Sequence, residues 1–330
     1  MNQKNTNIEE SQNYWQPKNP TPAPWSNWPP RPWATFKYFI SIPITRPWDV
    51  TLMLVPIITW LFLTPDLETM RNYEVGWIAM IYLRNLILLT LIAGGLHLQL
   101  YIRKTQETQY KYNQNWPKKK NRVFLFNNQT WHDMFWSLIS SCSIWTAFEV
   151  VTYWLFANKY IPYLNWEEHP VYFVLLYLAI MHIRGIHFYL VHRLIHWKPL
   201  YKAVHYLHHK DSNPGPWSGL SFHPIEGIVY FSGVILHWIL LSHPIHAIWH
   251  LQHAALAGPL GHTGFENIVV KDNVKIPGSG DYFHYLHHRY FECNFGHPIV
   301  PLDKWFGTFH DGSREAHKAH RMKRRRMHGV

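Results

Sequence analysis

The sequence predicts an all-α integral membrane protein. It would have about four transmembrane helices, a re-entrant or interfacial hairpin, and a cytoplasmic helical cap holding a histidine-lined two-metal site. Three observations predict this. Only 15% of the 330 residues are charged while 17% are aromatic, too few charges for an ordinary soluble surface. Apolar runs are flanked by clusters of Lys and Arg, the pattern of membrane spans with cytoplasmic loops. Eight of the 25 histidines fall into three tightly spaced boxes.

The bulk numbers exclude several classes. The net charge of +11 is concentrated beside apolar runs, which suits anionic headgroups better than nucleic acid. No nucleic-acid-binding signature accompanies it. Two cysteines, Cys142 and Cys293, are too few for a disulfide framework and lack metal-ligand spacing. The first 36 residues are polar, without the apolar core of a cleavable signal peptide.

In chain order, residues 1–47 read as a Pro- and Trp-rich arm, of which 1–36 are mostly irregular and carry Trp15, Trp25, Trp28 and Trp33, which suit the headgroup level. Residues 48–170 hold the first membrane helices and a basic loop. The run 48–63 is marginal, since about 20 residues are needed to span. The run 76–100 is stronger, although Arg84 within it must snorkel or find a partner. Arg103, Lys104, Lys111, Lys118, Lys119, Lys120 and Arg122 place the next loop in the cytoplasm. A third run, 134–157, returns the chain, and residues 158–170 connect on the far side. The segment 171–312 begins with a fourth run, 172–191, which re-enters the cytoplasm at His192. Within it, 229–241 and 245–260 form the hairpin, bent near Pro244, and Gly278-Ser-Gly280 marks a loop. Residues 313–330 are a basic tail.

The boxes are His192-x3-His196, His205-x2-His208-His209 and His284-x2-His287-His288. Residues i, i+3 and i+4 of a helix share a face, so each box projects its imidazoles together. Eight imidazoles exceed the four ligands of one tetrahedral ion, so two metals sharing them is the economical reading. Ligand type leaves the metal's identity open. His262, followed four residues later by Glu266, is a further candidate ligand. His223, followed by Glu226, is either a ligand or a structural residue. Each carboxylate is placed to accept from a ligating imidazole. His246 and His250 also have H-x3-H spacing, and one of them could join the inner shell.

The words His192-Arg-Leu-Ile-His196, His205-Tyr-Leu-His-His209, Phe222-His-Pro-Ile-Glu-Gly227, Gly261-His-Thr-Gly-Phe-Glu266, His284-Tyr-Leu-His-His288, Asn294-Phe-Gly296 and Leu302-Asp-Lys-Trp-Phe-Gly-Thr308 resemble the fatty acid hydroxylase/sterol desaturase superfamily. The likeness covers roughly 171–312. It implies an integral membrane, non-haem di-iron oxidase that uses O2 and two electrons on a lipid C–H bond, by hydroxylation or by sterol-type desaturation. Carried over by position, the eight box histidines and His262 match the family's iron ligands. Some members have another ligand four residues before that position, where this chain has Gly258. The usual tryptophan before the late aspartate is Leu302 here. With no Gly-rich nucleotide fingerprint in the chain, electrons are expected from a separate cytochrome b5-like or ferredoxin-like protein docking on the basic face. A non-catalytic metal carrier is the alternative from another class. A carrier would space its ligands along a path through the membrane, whereas these boxes follow the end of a span.

Overall fold

The computed structural model describes residues 14–17, 24, 29, 31–45, 47–270, 274–277, 281–297 and 299–328. Most of the arm, including Trp25 and Trp28, and the Gly278-Ser-Gly280 loop lie outside the described residues. In order, the helices are α1 (Pro32–Thr45), α2 (Pro47–Phe62), α3 (Val75–Ile102), α4 (Gln129–Ala157), α5 (Pro170–Ile195), α6 (198–209), α7 (Pro224–Ile239), α8 (Pro244–Gly261), α9 (Tyr282–Tyr290), α10 (Leu302–Trp305) and α11 (Arg314–His328). One antiparallel hairpin, β1 (Asn267–Val269) with β2 (Lys275–Pro277), pairs Ile268 with Ile276. The all-α expectation is therefore corrected by this small hairpin.

Helices α3, α4 and α5, with 28, 29 and 26 residues, are long and apolar enough to cross a membrane. Among the described residues these are three, where the apolar runs suggest four. The fourth candidate is α2, whose 16 residues rise about 24 Å, short of a hydrocarbon core of about 30 Å. Each long helix has two characters. On α3, Ile81, Asn85 and Leu89 are buried, while Leu83, Ile87 and Leu91 on the opposite face are exposed. Such an apolar outer stripe suits lipid rather than water.

Arg84 finds a partner rather than snorkelling. Its guanidinium donates to Glu149 on α4 and, at 2.9 Å, to Asn85. Glu149 also accepts from Asn85 at 2.9 Å and from the Tyr153 hydroxyl at 2.6 Å. The buried pair is thus fully hydrogen-bonded.

The expected hairpin exists as α7 and α8, with Pro244 at the first turn of α8, where its missing N–H costs nothing. Its place differs from an interfacial one. Residues 244–256 are buried without a break, and α8 packs against α2, α4 and α5. It is the axis of the bundle. Its end meets the turn Pro216–Leu220, which Ser137 and Ser141 of α4 hold by hydroxyl bonds to the Trp217 and Leu220 carbonyls at 2.5 and 2.7 Å. There Gly219 and Gly258 touch backbone to backbone. A Cβ on Gly219 falls 2.3 Å from the Gly258 carbonyl carbon, and one on Gly258 falls 2.7 Å from the Gly219 oxygen.

The cap forms from α6, β1–β2 and the chain beyond 281. Trp15 packs there against Tyr110 and Tyr112 at 5.5 and 6.1 Å. Lys111 is not part of an exposed basic loop. It is fully buried, donating to the Asn113 carbonyl at 2.6 Å, and burial pushes its ammonium down to about 7.

Replacing Gly219 by Ala is expected to force the turn off α8 and to cost about 1–3 kcal/mol. Thermal unfolding in detergent should show a midpoint lowered by several degrees, and an unchanged midpoint would contradict the close approach.

Candidate metal centre

Four elements deliver the histidines. The last turn of α5 carries His192 and His196, α6 carries His205, His208 and His209, and α9 carries His284, His287 and His288. His262 follows directly on α8. Asp281 caps α9 by accepting from the His284 N–H at 3.1 Å.

These nine side chains close into two groups, each with ligand atoms within 4.8 Å of one another: His192, His196, His205, His209 and His287, and His208, His262, His284 and His288. The division follows from helix geometry. Residues i and i+4 lie about 40° apart around the axis, whereas i+3 and i+4 diverge by 100°. In H-x2-H-H the outer pair therefore stays together and the middle histidine turns to the neighbouring group. His205 and His209 join the first group while His208 joins the second. His284 and His288 join the second while His287 joins the first. The box His192-x3-His196, lacking the i+3 member, stays whole.

Hydrogen bonds behind the rings set their tautomers. His192 Nδ1 donates to the Phe295 carbonyl at 2.6 Å, His287 Nδ1 to Cys293 at 2.7 Å, His262 Nδ1 to Gly258 at 2.8 Å and His288 Nδ1 to Asp211 at 3.0 Å. A carbonyl only accepts, so Nδ1 carries the proton and Nε2 keeps a lone pair. Yet His262 Nε2 lies 3.0 Å from the Nε2 of both His288 and His284, and His287 Nε2 lies 3.1 Å from that of His209. In the His262–His288 contact both Nε2 atoms are unprotonated, and two such lone pairs repel unless a cation stands between them. Protonating the rings is no remedy. Burial, reinforced by neighbouring imidazoles, holds His205, His208, His209, His284 and His287 well below their ordinary range, and it pushes His262 down to about 4. Neutral, converging Nε2 donors fit a pair of transition-metal ions.

The other candidates fall elsewhere. Glu226 accepts from His205 Nδ1 at 2.6 Å, as a carboxylate behind a ligating ring would. His223 instead caps α7, accepting from the Ile225 N–H at 3.3 Å, and lies outside both groups. Glu266 does not reach His262. It accepts from the Tyr112 hydroxyl, because His262 already uses the nearer Gly258 carbonyl. His246 bonds the Phe173 carbonyl at 2.9 Å and His250 bonds His237 at 3.2 Å, so neither joins the shell. Both lie on α8 more than three turns before His262. Gly258 explains the missing extra ligand: a side chain there would collide with Gly219.

Residue-by-residue reasoning missed what supports the shell. Asn294 donates to the Phe283 and His310 carbonyls at 3.0 and 2.9 Å, and Asp303 accepts from the Phe295 and Gly296 N–H groups. Together they fix the loop that offers the Cys293 and Phe295 carbonyls to His287 and His192. The words Asn294-Phe-Gly296 and Leu302-Asp303 carried this signal.

A cavity lies against the histidines. It is walled by Leu52 of α2, Met181 and Phe188 of α5, Val229 of α7, and Ile299 of the cap, and it reaches His192 and His284.

Residues 174–308 match the fatty acid hydroxylase family. Among curated proteins, the chain is 31% identical over 151 residues to Delta(7)-sterol-C5(6)-desaturase of Nicotiana tabacum, covering 44% of this chain and 52% of that protein. It is 29% identical over 161 residues to methylsterol monooxygenase 1 of Gallus gallus, covering 48% and 54%. It is 28% identical over 150 residues to Delta(7)-sterol 5(6)-desaturase of Candida glabrata, covering 44% and 39%. The chain thus spans about half or less of the length of these relatives. No solved structure matches it.

Replacing Glu226 by Ala should weaken metal binding about 10- to 100-fold by freeing the His205 ring, measured by competition with a chelator. Unaltered affinity would remove Glu226 from the shell. The metal-free protein should also be acid-labile. His262 takes a proton near 6.5 when unfolded but only near 4 when folded, so the unfolded chain is protonated first. Stability is then full above the unfolded value and declines as pH falls between the two. Each such histidine contributes about 1.4 kcal/mol per pH unit, read from thermal unfolding across a pH series.

Proposed function

Residues 174–308 belong to the fatty acid hydroxylase family, and from that premise we propose that the chain is a membrane-bound, O2-dependent di-iron lipid oxidase. It hydroxylates a C–H bond of a fatty-acyl, sterol or isoprenoid lipid. The observation that supports this most is the pair of histidine groups whose ring nitrogens converge to within 4.8 Å of one another. His192, His196, His205, His209 and His287 would hold one iron, and His208, His262, His284 and His288 the other. When bound, the irons supply the redox chemistry that activates O2 toward an unactivated C–H bond.

The chain's own residues do the rest. The carbonyls of Phe295, Cys293, Gly258 and Asp211, with Glu226, hold five rings in one tautomer and orientation. Apolar cavity walls admit a lipid tail and exclude water from the reacting carbon. Lys118, Lys119, Lys120 and Arg122, together with Arg314 and Lys318 of α11, are exposed. They suit an acidic electron carrier of the cytochrome b5 or ferredoxin type, docking from the cytoplasm. The cavity against the histidines favours catalysis over simple metal carriage, since a carrier has no use for a largely apolar cavity opening on its ligands.

A second reading, desaturation, is favoured by the two relatives named as sterol desaturases. Both outcomes begin with hydrogen removed from carbon.

Lipid profiling of a host with and without the chain should reveal a new oxygenated or unsaturated lipid that disappears with His205→Ala. That variant should also lose part of the bound iron. Product formed by purified protein under strict anaerobiosis would refute an oxidase.

A further inference from the structure

The cavity contains a charge that the metal centre does not use. Arg184 of α5 lines it eight residues before His192, on the same side of the helix and about 12 Å away along the axis. The residue is 8% exposed. One N–H donates to the Tyr230 hydroxyl, and the guanidinium carbon sits 5.4 Å from the Phe188 ring and 5.6 Å from the Tyr230 ring. Tyr230 is itself fixed, donating to the Ala254 carbonyl at 2.8 Å, so its oxygen is turned to accept from the arginine.

Among the described residues, no carboxylate lies within salt-bridge distance of Arg184, not even Asp49 on the same cavity wall. Arg84, the other buried arginine of the spanning helices, has Glu149 and Asn85. Among the described residues one cation is neutralised by a carboxylate and the other is not. A buried guanidinium without a counter-ion is costly, and it persists where something else supplies the charge. A Cβ on the adjacent Gly185 would lie 3.1 and 3.3 Å from Val300 and Ile299, so the cap rests on the bundle at this height.

We propose that Arg184, positioned by Tyr230, binds the carboxylate of an acidic lipid substrate. The apolar part of that lipid then runs past Phe188 and Val191 toward His192 and His284. A carboxylate matches the planar fork of a guanidinium and supplies the missing charge, which a sterol hydroxyl does not. The lining by Phe188 and Val191 between the two ends accepts hydrocarbon. The distance from Arg184 to the histidines would then set which carbon is oxidised. This assignment deepens the oxidase reading and rests on it for the word substrate.

The test uses the full-length, metal-free protein in detergent, with cis-parinaric acid and its methyl ester as fluorescent probes. The wild type should bind the acid at least about 10-fold more tightly than the ester, the discrimination that a charge-assisted hydrogen bond supports. Arg184→Gln should abolish that preference while iron uptake and thermal midpoint are retained. Arg184→Lys should keep part of it, and Tyr230→Phe should reduce it several-fold. Equal binding of acid and ester by the wild type overturns the proposal, as does a preference that survives in Arg184→Gln. If Arg184→Gln does not fold, the wild-type ratio and Tyr230→Phe still decide. The two readings fail separately. Iron-loaded protein that discriminates acid from ester yet oxidises no lipid refutes the oxidase and leaves the anchor. Oxidation of neutral lipids, unaffected by Arg184→Gln, refutes the anchor and leaves the oxidase.

Discussion

Repulsion among lone pairs is the constraint from which the rest of this structure follows. His262 and His288, with the proton already committed to Nδ1, point bare Nε2 atoms at each other from 3.0 Å. The arrangement holds because the backs of the rings are pinned to carbonyls and the whole cluster is buried. Metal-binding free energy is therefore coupled to folding of the cap: ions that bind Nε2 stabilise the folded form and not the unfolded one. Residues distant in sequence, such as Asp303 and Asn294, act on the centre only through the loop carbonyls they position.

The bundle below exists to hold this cluster at one height. Helix α8 is buried along nearly its whole length and ends at His262, so its register fixes where the second histidine group lies. That register depends on the contact of Gly219 with Gly258, a backbone approach that no side chain tolerates. The same contact leaves no room for a ligand at position 258. Packing and ligand count are thus one decision.

The two buried arginines separate structural from functional charge. Arg84 and Glu149 join α3 to α4 inside the spanning bundle, each saturated by partners. Arg184 faces a cavity in which, among the described residues, a tyrosine oxygen alone receives one of its N–H groups. Low dielectric makes the first pair tolerable and leaves the second in want of an anion.

Much of this was legible in the chain itself. The apolar runs marked α3, α4 and α5, and the box spacing identified eight of the nine histidines that converge, His262 being reached only through its flanking residues and the family resemblance. Both signals are local: a helix repeats every 3.6 residues, so side chains sharing a face announce themselves within a single turn. What only the tertiary structure decided involves partners chosen across the fold. It split each H-x2-H-H box between two groups and joined Glu226 to His205. It turned Glu266 away toward Tyr112, and it placed α8 at the centre rather than at an interface. Local periodicity can say that rings share a face, but it carries no term for what that face will meet, because such contacts arise only when distant segments are packed together.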